Sequence, residues 1–204
     1  MSFPIMPQVI PFSPIPTVTY LDGFPYGNAS TRSATSTPAE NRFIVYVAST
    51  NTTALMTSCL INGVAAEVAN SGAASFACAY VPTGTTVTAD PTFSVGGTTG
   101  SSGMAAMYAV YGLESPIWRS VTFNSGSPSS ASISIPQDGV LFVPVWLNND
   151  NQSPAFTGAT RDAEGDNGSS LGWATGHRDA STSGTYTVSV SATGTMYMGL
   201  GVLR

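Results

Sequence analysis

The chain has 204 residues, 42% hydrophobic and only 8% charged, with six basic side chains against eleven acidic ones and a net charge of −5. That apolar share, with 10% aromatic residues, excludes a wholly disordered chain. All basic residues are arginines, scattered at 32, 42, 119, 161, 178 and 204, so no basic stripe exists to neutralise a phosphate backbone, and nucleic acid is excluded as a partner.

Residues 1 to 40 differ in kind from the rest. Half of the fourteen prolines fall there, followed by the polar tract NASTRSATSTPAEN, which favours extended geometry without internal hydrogen bonds. Apolar residues such as Phe3, Ile5, Ile10 and Phe12 stud the segment, so an extended proline-rich arm is expected over 1–40, one that orders on another subunit or a neighbouring protein, or else wraps its own domain or stays loose. The start has no positive n-region and its apolar run is cut by prolines, so it does not read as a secretory signal, and no stretch of about 18 apolar residues suggests a membrane span.

From residue 41 onward the pattern is short strands with turn punctuation, and one domain over 41–204 is expected. Phe43 to Ala48 is a continuous apolar run suited to a central strand. Ser58 to Ile61 and Val64 to Glu67 flank Asn62-Gly63, the pair suited to both positive-φ positions of a type I′ hairpin turn. Phe76 to Val81 follows, then a strand broken at Pro91 over 87–95. The Gly/Ser/Thr run GGTTGSSG lacks the Lys-Ser/Thr of a phosphate loop and reads as a connector. MAAMYAVYGL fits both helical and alternating spacing, and its small-residue surroundings favour a strand.

Further strands are expected at 120–123, 131–135 and 140–147, with Gln137-Asp138-Gly139 as a turn and Pro144 suggesting an edge position or a bulge. Residues 148–183 read as a long polar stretch with one short strand candidate at 169–175. Tyr186, Val188, Val190 and Ala192 alternate with Thr187, Ser189, Ser191 and Thr193, which describes a sheet with one dry side. Met196 to Leu203 is apolar on both faces. Its second face must be covered by a neighbour, by the arm, or by an aromatic side chain lying over Gly199 and Gly201. The sum is an all-β, antiparallel β-sandwich, jelly-roll-like, with no convincing helix.

Chemistry has few candidates. His177 is the sole histidine, and with Asp179 and a serine it could form a triad, but neither order nor spacing matches a known nucleophile motif, so a loop histidine bonded locally is expected. Asp150, Asp162, Glu164, Asp166 and Asp179 cluster in sequence, yet the spacing around DAEGDNG fails the calcium loop, since Asn167 stands where glycine is needed and Trp173 where glutamate is. Cys59 and Cys78 sit in apolar runs and read as buried free thiols. Asn28, Asn51, Asn151 and Asn167 fit the glycan-acceptor pattern, which is frequent by chance in a chain about one quarter serine and threonine. Exposed Trp146, Trp173 or tyrosines could stack on a sugar ring. No catalytic, metal or cofactor residue is assigned.

The succession ISIPQDGVLFVPVWL, FTGATRDAEG, SLGWATGHRD and GTYTVSVSATGTMYMGLGVL, over about residues 129–204 with weaker support at 41–123, is similar to the small β-sandwich or jelly-roll proteins of tailed-bacteriophage particles. The resemblance implies a virion location, self-association and no cofactor, as in capsid decoration, head-fibre or tail components, with major capsid or tail proteins as partners. It names no binding residue. A carbohydrate-binding or host-recognition module taking a surface glycan is the rival reading.

Overall fold

The computed structural model describes residues 15–26, 31–51, 54–94, 103–148, 153–166 and 172–204. Among them lie seventeen β-strands and no helix. The first nine are β1 (Thr17–Tyr26), β2 (Arg32–Thr35), β3 (Arg42–Thr50), β4 (Met56–Ile61), β5 (Val64–Ala65), β6 (Glu67–Ser71), β7 (Ala74–Tyr80), β8 (Thr86–Phe93) and β9 (Gly103–Tyr111). The remaining eight are β10 (Ser120–Gly126), β11 (Ser129–Ile135), β12 (Gly139–Leu147), β13 (Ala155–Thr157), β14 (Thr160–Asp166), β15 (Gly172–Ala180), β16 (Gly184–Ser191) and β17 (Met196–Leu203).

Two groups of strands repeat one topology. The first half builds a sheet β1-β9-β3-β7-β6 over a smaller sheet β2-β8-β4-β5, and the second builds β10-β17-β12-β15-β14 over β11-β16-β13. Replacing β1, β9, β3, β7 and β6 by β10, β17, β12, β15 and β14 reproduces the larger sheet strand for strand, and β2, β8 and β4 map onto β11, β16 and β13. Each half is a jelly roll, all its strand pairs antiparallel, with strands that alternate between two sheets.

The two larger sheets lie face to face, giving four layers. Alternation along β3 shows why: Phe43, Val45 and Val47 point into the space between the large sheets, while Ile44, Tyr46 and Ala48 point to the smaller sheet of their own half. β12 does the same, with Val140, Phe142 and Trp146 in the central seam and Leu141, Val143, Val145 and Leu147 toward β11 and β16. A strand buried on both faces reads as a largely continuous apolar run, as β3, β7, β9, β12 and β17 do.

The second face of β17 is therefore covered from within, by the first half of the same chain. Phe76 of β7 lies over bare backbone: a Cβ at Gly201 would stand 2.5 Å from its ring, and a Cβ at Gly199 2.4 Å from Ala74. Pro144 is not at an edge, since β12 runs between β15 and β17. It is tolerated because the β12–β17 pairing breaks between Phe142↔Gly201 and Val145↔Met198, and its ring packs toward Gly199.

Pairing also redraws the N-terminal boundary. Residues 17–26 and 32–35, expected in the arm, are strands: β1 pairs with β9 and β2 with β8. Both are edge strands, where Pro25 and the polar RSAT are compatible with a sheet. Residues 1–14 of that arm lie outside the described residues, as do 95 of the strand expected over 87–95, 96–102 of the connector and 169–171 of the strand expected at 169–175. The Asn62-Gly63 turn forms as expected, with φ of 51° and 77°. MAAMYAVY is strand β9. Pro91 sits inside β8, opposite Cys59 and beyond the stretch that β2 covers.

Arg42 fastens the first roll. Fully buried, it donates to the carbonyls of Val81 (2.7 Å), Ser36 (3.1 Å), Thr83 (2.6 Å) and Gly84 (2.9 Å). Those oxygens belong to two connecting loops, and the guanidinium satisfies both at once.

Candidate functional site

Strand β14 carries a bulge at Asp162: Arg161 pairs with Gly176 and Ala163 with Thr175, leaving Asp162 between them. A bulge re-aims the extra side chain, and here it meets the histidine of the neighbouring strand. His177 Nδ1 lies 2.8 and 2.9 Å from the two Asp162 oxygens. A carboxylate only accepts, so Nδ1 carries the proton. His177 is thus a strand residue of β15, not a loop residue, and its partner is Asp162 rather than Asp179.

Around this pair the two halves of the chain meet. Thr175, two residues before His177 and on the same face, is 2.6 Å from the Tyr108 hydroxyl of β9, buried in the seam. The Tyr108 ring stands 6.5 Å from the imidazole and 5.6 Å from Tyr20 of β1. Burial, then the charges of Asp22 and Asp162, pushes Tyr20 up to about 12, and burial with the Asp162 charge raises Tyr108 well above its ordinary value. Both phenols stay protonated at neutral pH. At His177, burial would depress the pKa, but the Asp162 hydrogen bond and charge, with Asp179 adding, raise it above 6.5. Asp179 is also raised, first by burial, against the lowering effect of His177.

The ring reaches an open groove of about 440 Å³ lined by Gly158, Ala159, Thr160, His177, Arg178 and Asp179. Among the described residues no serine, threonine or cysteine is hydrogen-bonded to His177, and Asp162 holds the proton on Nδ1. The acidic cluster does not converge. Asp162 is committed to His177 and Glu164 to Arg161 at 2.8 Å, and no group of three or more metal-ligating side chains forms among the described residues. Asp150, like Asn28, Asn151 and Asn167, lies outside the described residues, while Asn51 is exposed.

Trp146 and Trp173, considered above as sugar platforms, are buried and register-paired across β12 and β15 in the seam. Cys59 and Cys78 are free and buried, Cys78 on the seam face of the first large sheet and Cys59 on β4 of the smaller sheet, in the core between those two sheets. Burial pushes the Cys59 thiol up to about 12 and Cys78 higher, which leaves both unreactive as nucleophiles.

A second feature lies on the outer layer. Cross-strand neighbours of β11 and β16 pair their hydroxyls: Ser130 with Ser189 (2.7 Å), Ser132 with Thr187 (2.8 Å) and Ser134 with Thr185 (3.4 Å). Ser33 and Thr88 repeat the motif at 2.8 Å on β2 and β8, the equivalent strands of the first roll. The alternation at 186–193 announced this polar face, whereas the Asp162–His177 meeting needed β14, a strand hidden in the polar stretch. No protein-family model matches the chain, and no curated protein is similar to it.

Proposed function

We propose that the chain is a structural component of a tailed-phage virion, a capsid decoration or head or tail accessory protein, that works by assembly and not by catalysis. The observation that carries this reading is the interior: two jelly rolls joined sheet to sheet, so that nearly all apolar strands serve a stiff four-layer slab. Its outer β11–β16 face is uncharged and dressed with hydroxyls, which lowers the desolvation cost where subunits meet. Jelly rolls build viral capsid domains as well as lectins, and the resemblance of residues 129–204 selects the former. On this reading the partners are further copies of the chain and other virion proteins, nucleic acid is not among them, and no cofactor is used. Burial of Trp146 and Trp173 removes those two rings as sugar platforms.

The test is the mass in solution of the full chain, followed by sedimentation with purified particles. A shortened chain should begin at Ile15, because a start at Asn41 would delete β1 and β2. A discrete oligomer, or co-sedimentation at fixed stoichiometry that is lost on removing residues 1–14, supports assembly through the N-terminal segment. A monomer that stays in the supernatant at every concentration contradicts the proposal.

A further inference from the structure

The six arginines divide five to one. Arg42 is bound by carbonyls, Arg161 pairs with Glu164 and Arg204 with Glu114 at 3.4 Å. Arg32 stacks on Phe24 at 4.1 Å, and Arg178 lies 4.2 Å over Tyr186 while donating to the Gly158 carbonyl. Arg119 is exposed and held only through its backbone, whose N–H donates to Val202 at 2.8 Å; no described residue pairs with its guanidinium. Arg119 borders an open groove of about 490 Å³, where Ser134, Ser183 and Thr185 supply hydroxyls, Pro136 supplies apolar surface, and no carboxylate takes part among the described residues. The volume falls within the range of small-ligand sites.

We infer that this groove binds an acidic saccharide, with Arg119 clamping the sugar carboxylate. In a chain of net charge −5 an uncompensated cation beside a carboxylate-free groove is a local attractor for anions. The guanidinium fork matches two carboxylate oxygens. A phosphate ester would draw further donors, such as a second cation or a nest of backbone N–H groups, and the lining provides neither. Hydroxyls that both donate and accept suit the hydroxyls of a sugar, and Pro136 gives its C–H face a surface to rest on. Ser134 and Thr185 are also the last rung of the β11–β16 ladder, whose earlier rungs recede in steps of about 7 Å. A second and third sugar unit would lie along them. The site is separate from the assembly reading above and does not depend on it.

The experiment is saturation-transfer NMR on the full chain with a galacturonate trisaccharide, the neutral galactose trisaccharide and acetate as probes. The acidic trisaccharide should bind, the neutral one at least about tenfold more weakly, and acetate should not displace it at equal concentration. Arg119→Gln should abolish the signal with an unchanged melting temperature, since the side chain is exposed, while Arg161→Gln leaves binding intact. Equal binding of the neutral sugar, displacement by acetate, preference for a sulfated trisaccharide, retention of binding in Arg119→Gln, or no binding at millimolar concentration would each overturn the assignment.

Discussion

At one end of the central seam Tyr20, Tyr108, Thr175 and His177 gather around Asp162; matched strand for strand and pair for pair, the other end presents Val121, Gly201, Phe76 and Cys78. The equivalent ends are opposite in chemistry and reciprocal in size. Where β15 offers the small Thr175 to the large Tyr108, β7 offers the large Phe76 to Gly201. Further along, Trp173 lies against Gly23 while Phe123 lies against Gly72, at 2.7 and 2.3 Å from where a Cβ would stand. A roll pairing with a copy of itself would set Phe76 against Tyr108, two large rings in the space made for one. The seam is therefore specific for the unlike half, and repetition of topology does not make the halves interchangeable.

The apolar end should be the more costly to disturb. Phe76→Ala removes a fully buried ring from a site that cannot collapse around two glycines, and should cost about 3–5 kcal/mol in denaturant unfolding. Gly201→Ala overpacks the same point by about 1–3 kcal/mol, and the part of that cost due to the Phe76 ring, though not the part due to Trp118, should vanish in the Phe76→Ala background. Additive costs would mean that the ring and the glycine are not in contact.

At the polar end, Tyr108→Phe leaves the Thr175 hydroxyl buried without its partner and should cost about 1–3 kcal/mol. Tyr108→Phe with Thr175→Val should cost less than the sum of the two single changes, because both polar groups then leave together.

Smaller still is the effect of pH. His177 binds its proton more tightly in the folded chain than in the unfolded one, so its stabilising contribution is complete below about 6.5 and fades as pH rises through the raised folded value. Asp179, also raised, acts with the same sign in a lower window just above the ordinary carboxylate range. Melting temperature should therefore decline from pH 6 toward pH 8, and His177→Asn should flatten that decline. An unchanged slope in the variant would remove His177 from the account.

What sequence could disclose followed burial. The doubly buried strands β3, β9, β12 and β17 are legible as continuous apolar runs, and β16 as clean alternation with one dry face. The edges were harder. β1 carries Pro25 and Asp22, β14 carries four charged residues, and β2 is polar, because a strand paired on one side needs neither full apolar character nor a complete set of donors. Reading the prolines before residue 40 as an arm, and 148–183 as mostly loop, hid both the duplication and the Asp162–His177 contact. That contact joins residues fifteen apart through a hairpin and a bulge, while Asp179, two residues away in sequence, offered the simpler partner. A two-sided apolar strand could be seen to need a cover; only the repeated strand order identifies the other half of the chain as that cover.

Native-state hydrogen exchange of the wild type and Phe76→Ala tests the seam most directly. If the two rolls form one cooperative unit through it, removing a ring that belongs to β7 should lower protection in β12 and β17 of the second roll as much as in β3 and β9 of the first. Loss confined to β3, β7 and β9, with β12 and β17 as protected as before, would contradict the account.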